Sequence, residues 1–100
     1  MESRVIEELY QIIKDRKTKP VEGSYTCHLF NKGRDLILKK VSEEATEVIL
    51  ASKSMDREET IRELADLCYH ILVMMCHDGI TPSDVCRELQ GRMKNNHKGG

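Results

Sequence analysis

The chain has 100 residues, enough for one small domain, and its net charge of -1 at pH 7 gives no electrostatic case for binding nucleic acid. It is 33% charged and holds no tryptophan, so a core has to come mainly from Leu, Ile, Val, Met and Cys. Its most apolar run, Leu64 to Cys76, contains Asp66 and His70 and is too short to span a bilayer, which excludes a membrane protein of the helical kind.

Val5, Ile6, Leu9, Tyr10 and Ile13 recur at helical spacing and predict a first amphipathic helix over residues 3–16. Pro20 and Gly23 mark residues 17–23 as a linker. Ser24 is placed to cap a short helix over 25–30, which Gly33 interrupts. A long helix is expected from about Asp35 to Lys53, with Ile37, Leu38, Val41, Ala45, Val48 and Ile49 as its apolar stripe. Asp56 followed three residues later by Glu59 is a capping-box pattern, so a further helix starts near Arg57 and runs to about His77, where Gly79 terminates it. Thr81-Pro82 opens a last helix that Val85, Leu89 and Met93 carry to Met93. The polar residues 95–100 read as a flexible tail. The expectation is a single all-α domain over residues 1–94, a small bundle of four to five helices.

Two acidic motifs stand out. Glu44 and Glu47 form E-x-x-E, and Glu63 with Asp66 forms E-x-x-D sixteen residues further on. Residues three apart on a helix share a face, so each motif presents two carboxylates side by side. Packed antiparallel, the two helices would bring four carboxylates together, and such a cluster repels itself unless a cation sits among its members. An all-oxygen cluster suits Mg²⁺, which keeps waters and substrate phosphates as its other ligands. The pattern points to metal-assisted chemistry on a phosphate substrate.

The helix over 57–77 adds to this. Leu64, Ala65, Leu67, Cys68, Ile71, Leu72, Met74, Met75 and Cys76 surround most of it, while Glu63, Asp66, His70 and His77 share a strip about 60° wide. A helix apolar nearly all round is buried nearly all round, and the other modest helices cannot easily cover it. A homodimer is therefore expected. Met1-Glu2-Ser3-Arg4 leads straight into a charged stretch with no secretory pattern, so a cytoplasmic protein is expected, with Cys27, Cys68, Cys76 and Cys86 as reduced, buried thiols.

Several segments together resemble the phosphoribosyl-ATP pyrophosphohydrolases. These are Ser24-Tyr25-Thr26, Lys32-Gly33, the run Lys39 to Val48 containing Glu43-Glu44 and Glu47, Glu63-Leu64-Ala65-Asp66 through His70, then Gly79-Ile80 and Asp84-Val85. The likeness spans about residues 5–90. It implies a MazG-like all-α fold and hydrolysis of phosphoribosyl-ATP to phosphoribosyl-AMP and pyrophosphate, the second step of histidine biosynthesis. It also implies Glu44, Glu47, Glu63 and Asp66 as Mg²⁺ ligands. Ser42 stands where this family often has glycine, and Cys27 and Cys68 where other small or apolar residues are usual; no carboxylate is affected. Glu43 and Glu44 are the candidate catalytic acceptors of a water proton, and Lys32, Lys40 and His70 the candidate substrate contacts. No cyclohydrolase segment precedes the domain, so the next pathway step is expected from another protein. Two rivals follow from the same residues: a house-cleaning pyrophosphatase for non-standard nucleoside triphosphates, and a non-catalytic helical dimerisation module.

Overall fold

The computed structural model describes residues 2–99, with side chains from 4 to 95. Five helices form among them: α1 (Glu2–Thr18), α2 (Tyr25–Lys32), α3 (Arg34–Lys53), α4 (Arg57–His77) and α5 (Pro82–Gly99). The described residues contain no strand. The all-α bundle expected from periodicity is the fold found.

Local chemistry sets most of the boundaries. The Ser24 hydroxyl accepts from the main-chain N–H of Cys27 at 3.2 Å and caps α2. Gly33, at φ 92, ends α2 and starts α3 in one residue, a corner that an L side chain would strain. Asp56 accepts from the N–H of Glu59 at 3.0 Å and opens α4. Thr81 and Asp84 exchange side-chain and main-chain hydrogen bonds at 3.1 and 2.9 Å, a reciprocal cap on α5.

Three helices run longer than expected, α2 among them, which reaches Lys32 rather than stopping at residue 30. α1 continues to Thr18 rather than stopping at residue 16, so the linker is shorter. α5 continues past Met93 to Gly99, because the apolar repeat stops there but nothing breaks the backbone. The expected tail 95–100 coincides with this last turn and a half. From residue 96 its side chains, and residue 100 entirely, lie outside the described residues.

α3 and α4 form an antiparallel hairpin, the largest contact of the bundle. Arg34, at the start of α3, meets Asp78, at the end of α4, at 2.7 Å. α1 packs on the C-terminal half of α4, and α2 packs on α1 and α3 and reaches α4 through the Tyr25–His70 and Thr26–Tyr69 hydrogen bonds. The core therefore gathers Tyr10 and Ile13 from α1, Leu29 from α2, Ile37 from α3, and Leu72, Val73, Met75 and Cys76 from α4. Tyr10 Oη donates to the Ile80 carbonyl at 2.7 Å and ties α1 to the α4–α5 turn.

Within the single chain this arrangement covers only part of α4. Its buried residues are His70, Leu72, Val73, Met75 and Cys76, all in the C-terminal half. Ile61 and Leu64, beyond the reach of α1 and α2, are exposed, as are Leu38, Ile49 and Leu50 on α3. The four cysteines are free, as expected, but Cys86 on α5 is exposed rather than buried.

Candidate active site

The α3–α4 hairpin brings three of the four motif carboxylates together. One oxygen each from Glu44, Glu63 and Asp66 lie within 4.8 Å of one another. Glu44 is largely covered, its side chain 14% exposed, whereas Asp66 lies open. Glu47, one turn along α3, is exposed and falls outside this group. It lines a small cleft of about 220 Å³ with Asp56 and Glu59 at the closed end of the hairpin.

Crowding of like charges shows in the protonation of Glu63. Its carboxyl is pushed up to about 7, first by its hydrogen bond with Glu59, then by desolvation and by the charges of Glu59, Asp66 and Glu44. Glu59 moves the other way: Arg62, bonded to it at 2.7 and 3.1 Å, and the proton shared from Glu63 hold it below the usual carboxylate range. Glu59 is thus a neighbour of the cluster that sequence reasoning used only as a cap residue. Its signal was available in the Glu59–Glu63 spacing, one turn on one face.

Lys40 sits on the same flank, with Nζ 3.3 Å from Glu43 and 3.7 Å from Glu44. Desolvation lowers its pKa, but the bond to Glu43 and the nearby Tyr25, Glu43 and Glu44 outweigh this and raise it, so it stays a cation. Glu43 is about half exposed beside it. Lys32 is an exposed cation in the last turn of α2.

His70 was expected to touch substrate. Within the chain both its ring nitrogens are engaged: Nδ1 lies 2.8 Å from the Asp66 carbonyl and Nε2 lies 3.0 Å from Tyr25 Oη. A carbonyl only accepts, so Nδ1 carries the hydrogen, and in the neutral ring Nε2 accepts from the tyrosine. His70 is also the one buried polar residue among those described. It joins α2 to the Asp66 turn of α4. Tyr25 is held further by stacking on Tyr69, centroids 6.2 Å apart, and Tyr69 bonds to Thr26.

An all-oxygen donor set drawn from three mutually repelling carboxylates fits a hard divalent cation. Residues 6–93 match the family described as phosphoribosyl-ATP pyrophosphohydrolase. The chain belongs to that family.

Among relatives of this pyrophosphohydrolase chain, a phosphoribosyl-ATP pyrophosphatase of Clostridium botulinum is 54% identical over 90 residues, 90% of this chain and 82% of that protein. One from Sulfurisphaera tokodaii is 53% identical over 94 residues, 94% of this chain and all of the relative. The histidine biosynthesis bifunctional protein HisIE of Caldanaerobacter subterraneus is 51% identical over 90 residues, which make up 44% of its length. The family match covers α2 to α4 whole, and with them every carboxylate of the cluster. No helix among the described residues is long and apolar enough to cross a membrane.

Proposed function

We propose that this chain hydrolyses phosphoribosyl-ATP at the α–β phosphoanhydride, giving phosphoribosyl-AMP and pyrophosphate in the second step of histidine biosynthesis. The observation that carries the reading is a family match over residues 6–93 that encloses a three-carboxylate cluster built by two helices.

In this reading Glu44, Glu63 and Asp66 would hold the metal, with Glu47, one turn further along α3, as the fourth carboxylate offered to it. Bound there, Mg²⁺ supplies charge neutralisation on the phosphate oxygens and a lowered pKa for an attacking water. Glu43, half exposed beside Lys40, orients that water and accepts its proton, with Glu44 as the alternative acceptor. Lys40 turns its ammonium from Glu43 and Glu44 to a substrate phosphate, and Lys32 adds a second cation from the end of α2. The enzyme is read as cytoplasmic and as a homodimer. Apolar side chains left open on α3, α4 and α5 support the second copy.

The test is pyrophosphate release from phosphoribosyl-ATP with and without Mg²⁺, with ATP and dUTP as controls. Mg²⁺-dependent release from phosphoribosyl-ATP alone is expected. Release mainly from another nucleotide moves the substrate to the house-cleaning class, and release from none leaves a helical dimerisation module.

A further inference from the structure

An open cleft of about 710 Å³ lies beside Tyr25, along α2 and the loop that precedes it. Its walls are the loop 20–24 and the α2 side chains Tyr25, Cys27, His28 and Asn31. Its volume is that of a small-molecule site. The chemistry of the lining is mixed in a useful way. Val21 and the half-exposed Tyr25 ring offer apolar and aromatic surface, while His28 and Asn31 offer ring nitrogens and an amide. Tyr25 and His28, one turn apart, have ring centroids 6.4 Å apart and tilted by 32°, so they form one continuous aromatic edge.

Tyr25 belongs to this cleft and to the carboxylate site at once. Its hydroxyl is fixed by His70, whose other ring nitrogen reaches the main-chain carbonyl of Asp66. A nucleotide with its polyphosphate at Glu44, Glu63 and Asp66 must send its base and sugars in some direction. Two smaller clefts among the described residues also border the hairpin. The one beside Glu47 also carries Asp56 and Glu59, three carboxylates that repel an anionic ligand. The one formed by Ser52, Met55, Arg57, Thr60 and Ile61 sits at the same closed end of the hairpin, around the α3–α4 turn. The cleft beside Tyr25 carries only Glu22 as an acid.

We propose that the cleft between the loop 20–24 and α2 receives the nucleoside end of the substrate, a purine carrying its sugars, with Tyr25 as the wall shared with the phosphate site. The Asn31 amide reads an edge of the base or a sugar hydroxyl, because it both donates and accepts. The Tyr25–His28 edge stacks on the purine. This placement rests on the phosphoribosyl-ATP reading above.

Two measurements separate the cleft from that reading. The first is amide chemical-shift mapping of the whole chain with phosphoribosyl-AMP, the product that keeps the entire nucleoside end. Shifts are expected at Val21, His28 and Asn31, and a footprint confined to the hairpin tip or the Glu47 cleft overturns the proposal. The second compares phosphoribosyl-ATP turnover of the wild type with His28→Ala and Asn31→Ala, both exposed positions whose truncation leaves the core untouched. KM is expected to rise about tenfold, the scale of one good contact, with a smaller change in kcat and unchanged Mg²⁺ affinity. Wild-type turnover with KM unchanged in both variants overturns the cleft and leaves the function standing. Product shifts at the cleft without wild-type turnover keep the cleft and overturn the function instead.

Discussion

The hydroxyl of Tyr25 lies 3.0 Å from Nε2 of His70 and ties the first turn of α2 to the middle of α4. Because His70 is buried and fully bonded, replacing it removes partners from two groups at once. His70→Ala is expected to cost about 1–3 kcal/mol, the penalty of a buried donor or acceptor left unmade plus the space vacated. Urea denaturation measures it. A cost near zero would show that the Tyr25–His70–Asp66 connection contributes nothing to the fold.

The carboxylates should separate by position. Glu44→Gln, Glu63→Gln and Asp66→Asn each remove a member of the group within 4.8 Å and are expected to lower kcat by roughly a hundredfold or more, the scale of losing one preorganised electrostatic contact. Glu47→Gln, outside the group, should chiefly raise the Mg²⁺ concentration needed for half-maximal rate. Titrating Mg²⁺ in all four variants decides this. An Asp66→Asn enzyme with full activity would remove that residue from the site.

Protonation of Glu63 gives a pH dependence with a definite sign. Its carboxyl stands at about 7 in the folded, metal-free protein against an ordinary 4.5. The folded state therefore binds the extra proton, so this contribution to stability is fully present below 4.5 and is lost as pH rises through about 7. A metal at the cluster competes with that proton. Added Mg²⁺ should thus raise Tm more at about pH 8 than at about pH 6, and Glu63→Gln should flatten the difference. Equal Mg²⁺ shifts at both pH values in the wild type would contradict the assignment of Glu63 to the cluster.

Much of this architecture was legible because it depends on local signals. The bounds of α4 follow from Asp56 with Glu59 at one end and Gly79, at φ 74, just past the other. The end of α5 was not legible, since apolar spacing stops at Met93 while no glycine or proline intervenes between Gly91 and Gly99. Glu44, Glu63 and Asp66 could be found from spacing and an antiparallel hairpin. That Glu47 faces the closed end of the hairpin depends on the helix crossing, which no spacing records. The role of Tyr25 lay further out of reach, because its partner is 45 residues away and on another helix.

The turn that closes the hairpin holds a local strain. Met55 has φ 59, the left-handed region, with its side chain 89% exposed, so nothing it touches offsets the conformation. Asn tolerates that backbone better than an unbranched apolar residue does. Met55→Asn is expected to stabilise the protein by roughly 0.5–1 kcal/mol, read as a higher urea midpoint at unchanged slope. A lower midpoint would mean that Met55 is covered in solution, by a second copy for instance.

That possibility leads to the assembly. Ile49 and Leu50 on α3, and Ile61 and Leu64 on α4, are all 45% exposed or more, and they lie on the half of the hairpin that α1 and α2 leave open. α5 packs lightly against α1 and leaves Val85, Leu89 and Met93 exposed along one stripe. Water against this much aliphatic surface costs about 25 cal/mol for each Å², so a second copy has a driving force without any new polar contact. The wild type is expected to sediment as a dimer at about micromolar concentration. Leu50→Lys with Leu64→Lys should give a helical monomer, since both positions lie outside the core. A wild-type monomer would count against the dimer, and a double variant that stays dimeric would move the interface to α5.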